Sequence, residues 1–295
     1  QTEKLARSRA EMPELTHVVT LDEGDQVAIE GVQVLSLAQL EALGREKGSA
    51  ADVDARVAAL DRSALLTLIY TSGTTGEPKG AMLSHRAIVQ SALDNAAWMG
   101  SERLACSVNA AVINHVGGLN NLCMNVFAGG GRIVFHHRAD PHRLGELRRR
   151  ERPTYLVTSP TGFMMSMAAP GFDAAKLDHF RLIVCGGATT PEAILRAWEP
   201  CGARITSVYG QTETCGIVTR TDEDAPIADV AETIGKPLPQ CEFRVVRADG
   251  SECDVGENGE LQMRGAYAMS GYFGDRKSTR LNSSHSSVSR MPSSA

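Results

Sequence analysis

Three kinds of segment are missing from this 295-residue sequence. No apolar run approaches the roughly 18 residues that a membrane-spanning helix needs, so we expect no transmembrane segment. No apolar stretch follows the charged first residues, 1–9, so we expect no signal peptide. No aromatic residues interleave with the densest basic run, 148–152, which Glu151 interrupts. We therefore expect a solvated helix end there and no nucleic-acid partner.

The seven cysteines include no close pair and form no zinc-binding or redox motif. Their number is odd, and most of them stand among apolar neighbours, as in the run Leu182–Cys185. This pattern predicts buried free thiols in a reducing compartment. We therefore expect a cytoplasmic protein.

The composition is that of a globular protein. Hydrophobic residues make up 42% of the chain, which is enough to bury a substantial core, and the formal net charge is only −5. The length fits one large domain or two ordinary ones. The sequence leaves the oligomeric state open.

From Ala64 onward, short apolar runs alternate with helix-like segments. Residues 65–70 are predicted to form a strand, and Ser84 is predicted to cap a helix at 84–98. A helix at 191–198 is predicted to begin with Thr190 as its N-cap. The other predicted strands are 104–108, 132–135, 155–158, 180–185 and 204–208, and the other predicted helices are 119–127, 141–150 and 161–167. This alternation favours an α/β fold with a largely parallel sheet and flanking helices.

The character of the sequence changes near residue 231. Alternating apolar residues at 243–246, an Asp249–Gly250 turn and a second alternation at 260–263 predict an antiparallel hairpin. We therefore predict an α/β body at 1–230 and a small β subdomain at 231–274.

Residues 275–295 differ from everything before them. Eight of these 21 residues are serine, no acidic residue follows Asp275, and the apolar side chains are isolated, which predicts disorder. The run 275–285 also resembles the translation of a sequencing adapter, and 289–295 fits its continuation. We therefore expect this tail to be an artefact of a DNA read.

The most informative run is 71–79, which follows a predicted strand and precedes a predicted helix. Loop amides and a helix N-terminus at such a place favour an anion, and Gly73 and Gly76 permit the tight turns that present those amides. Lys79 adds a positive charge. The hydroxyl donors of the run are Thr71, Ser72, Thr74 and Thr75. The run is not a P-loop, because Pro78 precedes Lys79 where that motif has glycine, but it predicts a site for the β- and γ-phosphates of a nucleotide.

This run closely resembles the phosphate-binding signature of the adenylate-forming superfamily, which contains acyl-CoA synthetases, adenylation domains of peptide synthetases and luciferases. The run Val208–Glu213 is similar to the second signature of that superfamily, Tyr-Gly-x-Thr-Glu. The resemblance implies that Tyr209 stacks on adenine, with Gly210 and Gln211 beside the nucleotide. It also implies that Thr212 binds the α-phosphate and that Glu213 ligates Mg²⁺, a hard cation that suits a carboxylate oxygen.

Two further segments resemble parts of the same superfamily. The triplet Gly186, Gly187 and Ala188, directly after a predicted strand, resembles the loop on the adenine side. The segment 114–118 resembles the border of the acyl pocket, where His115 would gate the carboxylate. By this resemblance, we expect His115 to be catalytic together with the threonine and glutamate of the second signature.

Other motifs are expected to be structural. His136 and His137 invite a metal-site interpretation, but adjacent residues in a strand point to opposite faces, so one site is not expected to use both. The stretches 256–261 and 270–273 resemble the β subdomain of the superfamily and are expected to serve structure rather than catalysis.

The resemblance covers about residues 15–273 and implies one reaction. A parent enzyme would join a fatty or other organic acid to ATP, releasing pyrophosphate, and would pass the acyl group from the acyl-adenylate to coenzyme A. In the superfamily, the ribose-binding aspartate, the hinge and the C-terminal domain with its catalytic lysine come later. We therefore expect both the body and the β subdomain to be incomplete, and the fragment to be incompetent alone.

Two other functions stay open. An amino-acid adenylation module of a peptide synthetase would carry an aspartate near His115 for the substrate amino group, and none occurs between Ala105 and Gly131. A plain organic acid is therefore preferred. The other alternative is a nucleotide-binding fragment without catalytic activity.

Overall fold

The chain divides into two compact units in the computed structural model, which describes residues 2–21, 27–71, 78–109, 111–136, 141–275 and 286–288. The units are Gln1–Asp61 and Arg62–Ala295. The division predicted at residue 230 stays a prediction.

The described residues of the first unit form a two-stranded parallel sheet, three α-helices and a short 3₁₀ helix at Arg9–Glu11. The Ser36 side chain accepts the Gln39 N–H at 3.2 Å, and the Ser36 N–H donates to the Gln39 side chain at 2.8 Å. This capping box explains why a helix begins directly after the second strand. The elements are α1 (Thr2–Arg7), β1 (His17–Thr20), β2 (Gln33–Ser36), α2 (Leu37–Lys47) and α3 (Ala50–Ala58).

The second unit begins with an antiparallel pair of strands, β3 (Leu65–Thr71) and β4 (Lys79–Ser84). Helix α4 (His85–Met99) follows, and the Ser84 hydroxyl accepts the Ala87 N–H at 3.2 Å, which confirms the predicted N-cap.

The phosphate-binding run was predicted to precede a helix, and this is wrong. The run joins β3 to β4, so one whole strand separates it from α4. The physical reason is that residues 79–84 pair with β3 along their length and bury Ala81 and Leu83 completely. The N-terminus of α4 is therefore not part of the loop.

A seven-stranded sheet forms the centre of the second unit and confirms the α/β class. Five of its strands are parallel, and two at one side are antiparallel. In spatial order the strands are β11 (Lys236–Pro237), β10 (Gly216–Arg220), β9 (Arg204–Gln211), β8 (Leu182–Cys185), β7 (Tyr155–Thr158), β5 (Cys106–Asn109) and β6 (Arg132–Phe135). The carboxyl ends of the five parallel strands, β9 to β6, share one edge, where ligands bind in open α/β sheets.

Helices pack beside this sheet over two apolar clusters. One cluster includes Tyr155, Leu182 and Val184, and the other includes the completely buried Phe163 and Trp198. The elements are a π-helical segment (Gly117–Met124) that continues into α5 (Asn125–Ala128), then α6 (Pro141–Glu151), α7 (Pro160–Met167), α8 (Glu192–Trp198) and α9 (Ile227–Glu232).

Thr190 is not the N-cap of α8. Pro191 occupies that position with extended backbone angles, and the helix begins at Glu192. A proline at the predicted first position therefore lies just outside the helix, and its ring fixes the entry of the chain.

A small antiparallel sheet follows and confirms the predicted hairpin. Strands β12 (Cys241–Val246) and β13 (Glu260–Gly265) pair in register, and a turn at Gly250 lies in their connection. A third strand, β14 (Ser286–Val288), pairs with β13. The disorder predicted for 275–295 stays a prediction.

All seven cysteines are free thiols, as predicted: six are buried and Cys253 is half-buried. In the described part of the chain, no helix is long and apolar enough to cross a membrane.

Candidate functional site

Lys79 and Glu213 contact the same side chain, Tyr272, although they come from the two predicted signatures. The Lys79 ammonium lies 5.5 Å from the centroid of the Tyr272 ring. The Tyr272 hydroxyl donates to Glu213 Oε1 at 2.6 Å. The short 3₁₀ turn that carries Glu213, Thr212–Thr214, also packs against β4. The structure therefore brings the base of the phosphate-binding run and the end of the second signature together.

Backbone hydrogen bonds hold Tyr272 in this place. The Met82 N–H donates to the Gly271 carbonyl at 2.9 Å, and the Phe273 N–H donates to the Gly80 carbonyl at 2.8 Å. The segment around Tyr272 thus runs along β4. Burial, with the neighbouring carboxylate adding to it, raises the pKa of Tyr272, so its hydroxyl stays protonated as a donor. The sequence assigned this stretch to structure alone and missed Tyr272.

The turn of the second signature has a fixed backbone. The Thr214 hydroxyl accepts the Gln211 N–H at 3.0 Å and lies 3.0 Å from the Gly216 carbonyl. Cys215 takes a left-handed conformation with φ 56°, which is uncommon for a residue other than glycine. A Cβ at Gly210 would lie 1.8 Å from the Gly216 carbonyl oxygen, so the close approach of β9 and β10 requires glycine there.

The residues predicted for adenine lie on adjoining strands. Gly186 directly follows β8, and a Cβ on it would lie 2.8 Å from the Val208 carbonyl, beside the half-buried Tyr209 of β9. Gly187 has φ +81°, and Ala188 is exposed. The loop and Tyr209 thus meet at the shared carboxyl edge of the sheet.

Thr212 and His115 differ in their surroundings. Thr212 is buried, with 6% of its surface exposed, and its carbonyl accepts the Cys215 N–H at 3.1 Å. His115 is exposed, and its Nδ1 accepts the N–H of Gly117 at 3.0 Å. Gly117 is the first residue of the π-helical segment. Among the described residues, no hydrogen bond joins His115 to the second signature. Its role at the acyl pocket stays a prediction.

The middle of the phosphate-binding run lies outside the described residues; it comprises Ser72, Gly73, Thr74, Thr75 and Gly76. At its base, the Thr71 hydroxyl donates to the Lys79 carbonyl at 3.4 Å. His137 also lies outside the described residues. In the part that the structure describes, no group of three or more His, Cys, Asp or Glu side chains could hold a metal ion.

A cavity of about 310 Å³ opens at the carboxyl ends of β5 and β7; we call it the β5–β7 cavity. Its wall includes Val108 and Ala111 at one strand and Thr158 at the other. Thr158 also accepts a hydrogen bond from the Gly186 N–H at 3.3 Å, so the cavity adjoins the predicted adenine loop. The cavity contains a buried arginine, Arg148, that the sequence suggested only as part of a solvated helix end.

The sequence profile of the family described as AMP-binding enzyme matches residues 3–273. The chain belongs to this family. Within it, indoleacetate–CoA ligase of Aromatoleum aromaticum is 33% identical over 213 residues, which are 71% of this chain and 41% of that protein. Pyochelin synthase PchD of Pseudomonas aeruginosa is 33% identical over 208 residues, which are 69% of this chain and 37% of that protein.

Solved structures of AMP-binding enzymes share the fold. The anthranilate CoA ligase AuaEII in complex with anthranoyl-AMP has a TM-score of 0.78 at 23% identity. The match covers 98% of this chain and 54% of the AuaEII chain. ATP-bound MatB from Rhodopseudomonas palustris has a TM-score of 0.67 at 26% identity. The match covers 85% of this chain and 50% of the MatB chain. The chain spans about half or less of the length of the relatives it matches.

Proposed function

We propose that this chain is the nucleotide-binding part of an acid–thiol ligase. The enzyme uses ATP to activate a carboxylic acid as an acyl-adenylate and then transfers the acyl group to coenzyme A. The observation that carries the proposal is the contact of both Lys79 and Glu213 with Tyr272. CoA ligases among the relatives support the reaction class.

A carboxylate is a poor electrophile, and conversion to a mixed anhydride with AMP makes thioester formation feasible. The task of the protein is to position the acid against the α-phosphate and to offset the developing negative charge. In this proposal, the 71–79 run and Lys79 bind the β- and γ-phosphates, and Thr212 binds the α-phosphate. Tyr209 and the loop 186–188 hold the adenine.

Mg²⁺ fits the donor set only as a nucleotide-bound ion. Glu213 offers one carboxylate, and Mg²⁺ is usually held by one or two carboxylates together with water and substrate phosphates. Tyr272 fixes one oxygen of that carboxylate, which orients it. When bound, the ion would offset phosphate charge during adenylation.

The test is binding of a stable acyl-adenylate mimic to the purified chain by calorimetry. Acetyl-sulfamoyladenosine carries both an acyl group and an adenosine, so we expect it to bind at least ten-fold more tightly than AMP. GTP is the control nucleotide and should bind more weakly than ATP. Equal affinity for all four compounds, or binding of none, would contradict the proposal.

Amino-acid activation is a second candidate function, because pyochelin synthase PchD is similar over 69% of this chain. Glycyl-sulfamoyladenosine differs from the acetyl compound essentially by one amino group. We expect the acetyl compound to bind at least as tightly, since no aspartate occurs between Ala105 and Gly131. A clear preference for the glycyl compound would favour the peptide-synthetase function.

A binding-only role is distinguished by exchange of labelled pyrophosphate into ATP. Exchange that depends on added acid would rule out the binding-only role for this chain. Tight binding of the acetyl mimic without exchange would favour it.

A further inference from the structure

Arg148 is a buried cation in the wall of the β5–β7 cavity. It lies in the last turn of α6 with 9% of its surface exposed. Its Nη1 donates to the Ser166 hydroxyl of α7 at 2.9 Å. In the described part of the chain, no carboxylate forms an ion pair with Arg148.

The positive charge of the Arg148 guanidinium is therefore not compensated by a carboxylate of the described residues. Burial lowers the pKa of Arg148 to about 10, so the group stays protonated at neutral pH. Ser166 is a neutral acceptor, and its own hydroxyl also lies 2.9 Å from the Gly162 carbonyl. A buried charge without a partner of opposite sign typically costs several kcal/mol. The cavity therefore has a physical reason to bind an anion.

The rest of the cavity is suited to a small amphipathic ligand. The other charged side chains in its wall are Arg149, Asp173 and Lys176, of which the last two pair with each other at 3.2 Å. The net charge of the side chains that line the cavity is therefore positive. Its volume of about 310 Å³ is at the small end of ligand pockets. The larger apolar side chains of the wall include Leu122, Leu144, Leu156, Met165, Phe172 and Leu177.

The cavity lies within reach of the proposed reaction centre. Strands β7 and β9 are separated by β8 alone, and Thr158 lies opposite Ser207 across β8, about 10 Å away. The second signature continues along β9 beyond Ser207. Thr158 closes β7 and borders the cavity, and the second signature closes β9. An acid whose reacting carboxylate lay near Thr212 could extend its other end toward Arg148.

We propose that the substrate acid carries a second carboxylate and that Arg148 binds it in the β5–β7 cavity. This inference rests on the function proposed above and narrows its substrate class to dicarboxylic acids with an apolar middle. An arginine–carboxylate pair can form two parallel hydrogen bonds, which compensates the buried charge. A plain fatty acid would instead place methylene groups against an unpaired guanidinium.

The test compares acids of equal carbon number on the purified chain in the presence of MgATP. Suberate and octanoate form one pair, and adipate and hexanoate form the other. Transfer of apolar surface from water favours the monoacid in each pair, because it has one more apolar end group. We expect the diacid to bind at least ten-fold more tightly. Equal binding, or tighter binding of the monoacid, would overturn the inference.

Two arginine variants localise the effect. Arg148→Met removes the buried charge and keeps an unbranched side chain, so we expect the preference for the diacid to disappear while octanoate still binds. Arg143→Met removes an exposed charge of α6 outside the cavity wall and should leave the preference intact. A preference that survives Arg148→Met would contradict the assignment.

The same titration separates this inference from the proposed function. If MgATP binds but neither acid does, the dicarboxylate inference is wrong and the nucleotide site stands. If MgATP does not bind either, the proposed function has failed as well.

Discussion

At the scale of single residues, Tyr272 links two chemical groups that the sequence could only place in separate motifs. Its hydroxyl orients the Glu213 carboxylate, and its ring lies beneath the Lys79 ammonium. An aromatic ring near a cation contributes about 0.5–1 kcal/mol at partly exposed sites. In the proposed function, Tyr272 is therefore a positioning residue rather than a group that must touch the nucleotide.

Tyr272→Phe should keep the ring and remove the hydrogen bond to Glu213. We expect about a three- to ten-fold loss of MgATP affinity and a smaller loss of affinity for metal-free ATP, because a freely rotating carboxylate holds the metal less well. Calorimetric titration with and without EDTA measures both.

The matched control is Tyr267→Phe. The Tyr267 hydroxyl also donates to a carboxylate, Asp94 Oδ2, at 2.5 Å in the same apolar cluster. We expect this variant to lower the free energy of unfolding by about 1 kcal/mol and to leave MgATP affinity unchanged. Equal effects of both variants on MgATP affinity would contradict the positioning role of Tyr272.

His179 is a second residue with a testable consequence, this time for stability. It is 4% exposed, and both ring nitrogens are buried with no hydrogen-bond partner among the residues that the structure describes. Its Nδ1 lies 3.9 Å from Asp178 Oδ1, a distance too long for a hydrogen bond. The Asp178 side chain is itself largely exposed. Burial, assisted by nearby arginines such as Arg152, lowers the pKa of His179 from 6.5 to about 4.

Because the folded pKa is the lower one, the unfolded chain binds this proton first as the pH falls. The contribution of neutral His179 to stability is therefore complete above pH 6.5 and is lost between about pH 6.5 and 4, by up to about 3 kcal/mol. His179→Leu should reduce the loss of unfolding free energy over this pH range. His85→Leu is the control variant and should show the same loss as the parent chain.

Urea unfolding at several pH values, followed by tryptophan fluorescence, measures this effect. Both tryptophans, Trp98 and Trp198, lie in the second unit with His179. If the unfolding free energy of His179→Leu fell with decreasing pH as steeply as that of the parent chain, His179 would not be buried in its neutral form.

At the scale of elements, the return from β9 to β10 depends on one glycine. A Cβ at Gly210 would lie 1.8 Å from the Gly216 carbonyl oxygen, and backbone atoms cannot move away as a flexible side chain can. We expect Gly210→Ala to lower the free energy of unfolding by at least about 2 kcal/mol and to weaken MgATP binding.

Gly44→Ala is the matched control for this substitution. Gly44 lies inside α2, and a Cβ there would meet no atom within 4 Å. Alanine is a better helix former than glycine, so we expect a gain of about 0.5–1 kcal/mol. Calorimetric melting of both variants is the measurement. A Gly210→Ala variant as stable as the parent would show that β9 and β10 can separate without cost.

The elements that the sequence predicted best are short runs with β-branched residues. The strands at 132–135 and 155–158 match the structure residue for residue, because their neighbours on both sides are turn or helix signals. Strand β4 was missed, because its run Lys-Gly-Ala-Met-Leu-Ser has no β-branched residue and ends in a helix cap. The helix predicted at 119–127 is present, but the π form of its first part was not predicted, because an extra residue per turn leaves no distinct apolar period.

At the scale of the whole molecule, the candidate site combines the edge of the parallel sheet with the separate β3–β4 pair. The resemblance to the superfamily predicted that the two signatures meet. The sequence could not predict Tyr272 or Arg148, because a tyrosine in a β segment and an arginine in a basic helix end carry no signal of their burial. Their hydrogen-bond partners, Ser166 and Glu213, lie on other elements of the fold.

The central claim is that Lys79 and Glu213 bind one nucleotide, the lysine through phosphate and the glutamate through Mg²⁺. Calorimetric titration of ATP, with Mg²⁺ and with EDTA, into Lys79→Met, Glu213→Gln and the control Lys236→Met tests it most directly. The account predicts that Lys79→Met loses at least ten-fold in affinity under both conditions. Glu213→Gln should lose affinity only with Mg²⁺, and Lys236→Met should lose none. Unchanged MgATP affinity in either Lys79→Met or Glu213→Gln would contradict the account.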